Sequence, residues 1–495
     1  MPTSSTPRSR LMQTVYVREL SFHSPQSLSR LLSIDATATQ RLIERLCAHG
    51  VLKLSTDNDG EEYDADFGDD VRGKYQFAYV GLAMVDDLCF IVYPKYLPLA
   101  DAHDPGEDAK AAMRQIFRVL RKRGGSYSQI AAMTEEGLRA NDRLALMLAL
   151  LEYYDEYGVY SNYVRTLADN GPGNINWERT INANLPYLTS GRPIYMQYKT
   201  DESDQDAADF VMRLHQCVLT RCSAFMQDSG LADLLALDEV WLSDAEVGDF
   251  GDADFIIYCL QQERAVQYVT WKQDVIDLLL RYVGEGDSTV QLDAPLCLGS
   301  SSFYHVWEAA CKVAFNDVLG KRIGDLGLDL AKDWAARKNE TVLGIIPRPK
   351  WSSAYGVPYG EVLTLIPDTV LLAHDAEGRS VFAILDAKYY TPMLGDKVTG
   401  APGVESVTKQ FLYQAAYRKF IEDNGFDSVV NAFIAPTSEG SIQHSGRVSF
   451  PMVIPEEKEP LSNVVELFKI PATRVFDAYL SDSSLDSASL LTIIG

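Results

Sequence analysis

LTLIPDTVLL (363–372) and VFAILDAKYY (381–390) decide how the last third of the chain folds. Both are apolar runs of strand length, and both carry charge where a buried strand should be greasy. Asp368 follows Pro367 in the first, and Asp386, Ala387 and Lys388 stand in a row in the second. Side chains alternate along a strand, so Asp386 and Lys388 share one face while Ala387 points away. That face can meet Asp368 on a neighbouring strand. Working outward, FYHVWEAACKVAFNDVL (303–319) reads as a helix whose Glu308 lies on a stripe with Tyr304, Cys311 and Phe315. Residues 342–346, 362–373 and 381–389 read as three strands, 404–423 as a helix and 428–436 as a fourth strand.

Two carboxylates and a lysine on adjoining buried strands suit phosphodiester hydrolysis. The reaction needs charge stabilised on phosphate and a nucleophile at neutral pH. A Mg²⁺ held by carboxylates meets the first need, with Mn²⁺ as an alternative. A lysine beside the attacking water meets the second. Asp368, Asp386 and Glu308 are therefore the candidate metal ligands, and Lys388 the group that positions water. The order α-β-β-β-α-β with acids on the second and third strands resembles the core of the PD-(D/E)xK nuclease superfamily. The motifs are short, and the same residues could close a strand and begin a turn. On the 404–423 helix, Gln410, Tyr413, Gln414 and Tyr417 share a face. RecB-like members of that superfamily carry a glutamine and a tyrosine there, which makes Gln410 and Gln414 candidates. An amphipathic packing stripe explains them equally well.

Composition narrows the classes. A chain of 495 residues is long enough for two to four domains. The longest apolar helical run, LALMLALL (144–151), falls far short of a membrane span. MPTSSTPRSR at the start has no apolar stretch behind it and reads as a disordered tail rather than a signal. Seven scattered cysteines without a CxxC pair exclude zinc-site spacing and point to a reducing, cytoplasmic setting. A net charge of −24 argues against a protein that coats DNA by neutralising phosphates, although a local basic face could still engage it.

Residues 1–56 hold seven Lys/Arg and three acids, a basic segment in an acidic chain. Within them, Ser24 or Ser27 can cap a short helix ending near Leu32, and Asp35 or Thr37 a second that Gly50 stops. The strand-like VLKL follows. This outline is winged-helix-like, with Thr39, Gln40, Arg41 and Arg45 on the candidate recognition helix and Gln40, Arg41 and Arg45 as candidate DNA contacts. The same outline serves protein interaction or a plain helical hairpin. Residues 57–126 supply a hairpin turning at Asp86-Asp87, then a helix at 107–123 with Lys110, Arg114, Arg118 and Arg121 along one face. That face can meet DNA or an acidic partner, although a solvated face explains it more simply. Residues 127–284 read as a mostly helical middle domain interrupted by ADNGPGNINWERT (168–180), with TDESDQDAAD (200–209) a solvated loop and helix start. GEGDSTVQLDAPLCLGSSS (284–302) marks a boundary, and 285–495 form the nuclease domain. The fold expected is α/β and multi-domain.

VYPKYLP (92–98), EYYDEYGVYSN (152–162), NGPGNINWERTI (170–181), FYHVWE (303–308), IIPRPKW (345–351), LIPDTVL (365–371) and DAKYY (386–390) occur in this order. Together they resemble the LlaJI restriction endonuclease family, which is related to McrC. The resemblance implies a nuclease subunit of a phage-defence restriction system acting on double-stranded DNA with a separate AAA+ GTPase like McrB. No GxxxxGK[ST] occurs in the chain, so a nucleotide-driven motor would be another polypeptide. Two rival readings remain: a non-catalytic partner that stimulates a GTPase, and a stand-alone, structure-specific nuclease.

Overall fold

Strand β1 (Gln13–Arg18) opens the structure, a computed structural model that describes residues 13–55, 74–126, 142–205, 209–284, 296–355, 358–359, 364–395, 398–453 and 460–494. The expected N-terminal tail, residues 285–295 of the boundary and residues 362–363 of an expected strand lie outside these. Two compact units emerge. One gathers the described parts of Met1–Gly125 and Leu292–Gly495, the other those of Asn141–Gln291.

In the first unit, β2 (Phe22–His23), α1 (Pro25–Leu32), α2 (Ala36–Ala48), β3 (Leu52–Leu54) and β4 (Tyr75–Phe77) follow β1. Ser24 caps α1 by accepting from Ser27 N at 3.1 Å, and Asp35 caps α2 by accepting from Thr37 N and Ala38 N at 2.8 and 2.9 Å. Such caps satisfy donors that the helix itself leaves open. Leu28, Leu32, Leu42, Ile43 and Leu46 then bury against Leu52 and Phe77, and the three short strands pair in the order β2-β4-β3. The apolar hairpin β5 (Val80–Val85) and β6 (Leu88–Tyr93) turns at Asp86, which adopts φ 53°. Helix α3 (Gly106–Gly124) comes next.

β7 (Leu296–Ser300), which lies within the Gly/Ser-rich interval expected as a boundary, pairs antiparallel with β5 rather than joining the C-terminal sheet. The N-terminal sheet thus runs β1-β6-β5-β7. Gly81 and Gly299 face each other there, and a Cβ on Gly81 would sit 2.3 Å from the Leu298 carbonyl oxygen. Only glycine permits that approach.

The remaining elements are α4 (Phe303–Ala314), β8 (Thr369–His374), β9 (Ser380–Ala387), α5 (Val404–Asp423), β10 (Ser428–Thr437), β11 (Gln443–Ser449), β12 (Val464–Pro471) and α6 (Ala472–Leu480). They build a five-stranded mixed sheet ordered β8-β9-β10-β12-β11. β9, β10 and β12 run parallel, with antiparallel strands at both edges. Val370, Phe382 and Ile384 bury against Tyr417, Phe420 and Ile421 of α5, which fixes the helix on one sheet face. The Phe382 ring lies 5.1 Å from that of Tyr417 and 5.4 Å from that of Phe426.

Several expectations need correction. Residues 342–346 form a 3₁₀ turn at Leu343–Ile345 instead of a strand, because buried apolar residues before Pro347 can fill the core without a ladder. The strand expected over 362–373 begins at Thr369, since Pro367 has no N–H to donate. The helix expected over 303–319 stops at Ala314, and the strand over 381–389 stops at Ala387. The sheet therefore has one strand fewer before α5 and two more after β10 than the α-β-β-β-α-β order anticipates.

The turn between β8 and β9 sets their register. Asp375 Oδ1 accepts from Glu377 N and Arg379 N at 3.0 and 2.8 Å, its Oδ2 binds the Arg379 guanidinium at 2.7 Å, and Gly378 takes φ 80°. A one-residue slip would turn Asp386 to the opposite face. Asp375→Ala is expected to lower stability by removing the acceptor that these donors share. Urea unfolding measures it, and an unchanged midpoint would remove the turn from this account.

The second unit packs helices Asp142–Tyr157, Phe210–Asp228, Ala253–Val266 and Thr270–Gly284, but it is less purely helical than its periodicity suggests. The acidic stretch expected as a loop is the strand Lys199–Gln205, antiparallel to Tyr163–Asp169. Alternation had been masked by its run of charges. Among the described residues, no helix is long and apolar enough to cross a membrane. None of the seven cysteines forms a disulfide.

Candidate active site

Register brings the acids together. Thr369 pairs with Leu385 and Val370 with Ile384, so Asp368 falls across from Asp386 on the face of Val370, Phe382 and Ile384. Three contacts hold this edge. Asp317 Oδ1 accepts from Val370 N at 2.9 Å, Tyr413 OH donates to the Ile366 carbonyl at 3.2 Å, and Asp368 Oδ2 accepts from Ala387 N at 3.0 Å. Lys388 continues the ladder past the end of β9, its N–H donating to the Ile434 carbonyl at 2.9 Å. Its Nζ lies 3.0 Å from Asp386 Oδ2. Asp386 is buried and the lysine half-buried.

The charges are strongly perturbed. Burial pushes the Asp368 carboxyl well above the usual carboxylate range, and its hydrogen bond to Asp386 and the charges of Asp386 and Glu308 push the same way. Burial works against the Lys388 charge, but Asp386 and then Asp368 outweigh it and hold its pKa above the ordinary lysine value. Two close acids thus share one lysine in a poorly hydrated place.

The other expected residues are placed as follows. Glu308 adds to the negative potential at Asp368, while its Oε2 lies 3.1 Å from His305 Nδ1. Among the described residues, no three His, Cys, Asp or Glu side chains gather closely enough to enclose a metal by themselves. Gln414 is engaged elsewhere, donating to the Ser462 carbonyl at 2.8 Å and accepting from Ser462 N at 3.2 Å. Gln410 is fully buried, and neither amide atom meets a partner among the described residues. On α2, Thr39 faces inward and Arg45 binds both Asp86 oxygens, at 2.8 and 3.0 Å. Gln40 and Arg41 are exposed, with Gln40 bonded to Glu44 at 2.9 Å. Asp317 is the supporting residue that sequence missed: nothing in DVLGK announces a carboxylate serving a strand 53 positions later.

Known proteins share much of this chain. The model of the LlaJI restriction endonuclease family matches residues 79–323 and 337–472. The type II restriction enzyme BsuMI component YdjA of Bacillus subtilis (strain 168) is 24% identical over 436 residues, covering 86% of this chain and 85% of its own. A chain of the half-complex of Thermococcus gammatolerans McrB AAA+ hexamers with bound McrC aligns over 95% of this chain and 99% of its own at 12% identity, with a TM-score of 0.34. The cryo-EM structure of the McrBC complex from the same organism aligns over 55% of this chain and 84% of its own at 14% identity, with a TM-score of 0.21. Scores this low establish no common fold. The family match spans the β5–β6 hairpin, the helix of Glu308 and the strands that present Asp368, Asp386 and Lys388, and this chain belongs to the LlaJI restriction endonuclease family.

Proposed function

We propose that this chain is the DNA-cutting subunit of a restriction system and hydrolyses phosphodiesters with Mg²⁺ at Asp368, Asp386 and Lys388. One observation carries the reading: strand register juxtaposes two acids and a lysine at the end of β9. The donor set fits a hard divalent cation. Mg²⁺ typically takes one or two protein carboxylates and fills its remaining positions with water and substrate phosphate, so a third acid is not required. The Asp368 carboxyl is raised first by burial and then by the neighbouring Asp386 and Glu308, and a bound cation would offset the charge of those neighbours. When bound, the ion would polarise the phosphate and make water more acidic. Asp368 and Asp386 orient it, Lys388 holds the attacking water, and Glu308 orders the outer water shell. The buried amide of Gln410 is the better of the two glutamines for such polar support, since Gln414 is engaged by Ser462.

A separate AAA+ GTPase would drive cleavage. The chain lacks a Walker A motif and carries a net charge of −24, so it needs a partner to engage DNA strongly. The relative named as a component of a restriction enzyme supports a multi-subunit arrangement. A winged-helix reading of the α1–α2 and β2–β4–β3 segment would make its exposed Gln40 and Arg41 a DNA or partner contact.

The test is Lys388→Met. Loss of a group that acts on water should lower turnover by about 10²–10⁴-fold. Mn²⁺ affinity should hold or rise, because a competing positive charge has been removed. Cleavage assays with titration calorimetry separate the two effects. Normal turnover would take Lys388 out of the chemistry.

A further inference from the structure

The end of the N-terminal sheet meets the DAKYY segment through a buried polar cluster. Lys95, two residues past β6, is 8% exposed, and Glu19, just past β1, is 9% exposed. Because β1 and β6 are parallel, both residues emerge at the same end of the sheet. Glu19 Oε2 accepts from the Tyr389 hydroxyl and from the backbone N–H of Lys95, the latter at 3.1 Å. The Lys95 ammonium lies 4.9 Å from the centroid of the Tyr389 ring and 5.8 Å from that of Tyr390. It makes no hydrogen bond or ion pair among the described residues.

Lysines are almost never so fully buried without a paired acid. Two tyrosine faces attract the cation without neutralising it. The charge is therefore held in a fixed place over the two rings, in the same cluster as the Glu19 carboxylate. That place adjoins the candidate site, because Tyr389 and Tyr390 directly follow Lys388 and the Tyr390 N–H donates to the Lys388 carbonyl at 2.9 Å. Tyr389 is itself clamped from three sides, by Glu19, by the Tyr96 ring at 6.2 Å and by the Phe303 ring of α4 at 5.3 Å.

We propose that Lys95 binds a backbone phosphate of the DNA strand beside the phosphate that is attacked. The N-terminal sheet would thus supply a substrate-binding cation to a site built on the C-terminal sheet. This rests on the nuclease reading, since it takes the strand to pass Lys388.

The experiment measures binding of a fluorescent DNA duplex by the full chain in EDTA, across a salt series, so that no cleavage step intervenes. Lys95→Met should bind about tenfold more weakly at 0.1 M salt and lose about 0.9 units from the salt slope. Lys95→Arg should restore the slope, and both variants should melt close to the wild-type temperature. Wild-type affinity and slope in Lys95→Met would overturn the proposal, as would a fall in melting temperature without a change in slope. Cleavage by Asp386→Ala with Mg²⁺ is read separately. Undiminished cutting there would remove the nuclease assignment, whereas an unchanged salt slope in Lys95→Met removes only the phosphate contact.

Discussion

Asp386→Ala is expected to lose at least about a thousandfold in DNA cleavage at saturating Mg²⁺, since each tenfold corresponds to about 1.4 kcal/mol and metal stabilisation of the transition state supplies several. The substitution removes one of two strand carboxylates and frees Lys388 from the oxygen it contacts at 3.0 Å. It should not unfold the chain. The alanine opens little space at the end of β9, the lysine reaches solvent, and Asp368 is relieved of a repelling neighbour. A melting curve near that of the wild type with cleavage lost is the expected pair of results. Undiminished Mg²⁺-dependent cleavage would remove the strand acids from the chemistry.

The second large effect is dependence on a nucleotide-driven partner. Isolated, the chain should bind DNA weakly at physiological salt and cut it poorly, because its net charge of −24 opposes a polyanion. With the AAA+ GTPase proposed as its partner, and GTP, cleavage should rise by orders of magnitude, and the partner's hydrolysis should quicken in turn. Efficient cutting by the isolated chain with Mg²⁺ and no nucleotide would favour a stand-alone enzyme.

The candidate site was legible because its chemistry breaks a pattern. Charged residues at 368, 386 and 388 interrupt apolar runs, and the period of a strand alone puts Asp386 and Lys388 on one face. The helix at Val404–Asp423 was legible for a similar reason, since a long segment leaves little ambiguity of type. What failed was local. Leu343–Ile345 buries apolar residues from a turn, which composition cannot tell from a short strand. Lys199–Gln205 pairs as a strand although its acids suggest a solvated loop. Gln410 and Gln414 lie four residues apart on one helical face, and only the Ser462 contact separates their roles. Lys95 and Glu19 were out of reach, because the hydrogen bond linking Glu19 to Tyr389 spans 370 positions of sequence. Contacts of that kind arise from tertiary packing and leave no spacing to read.

The central claim is that Asp368 and Asp386 together hold the catalytic ion. Anomalous diffraction from crystals of the full chain soaked in Mn²⁺ tests it most directly. The account predicts a peak within bonding distance, about 2.0–2.3 Å, of oxygens from both carboxylates, with Lys388 alongside. Mn²⁺ bound elsewhere, in a protein shown to cut DNA with Mn²⁺, would contradict it.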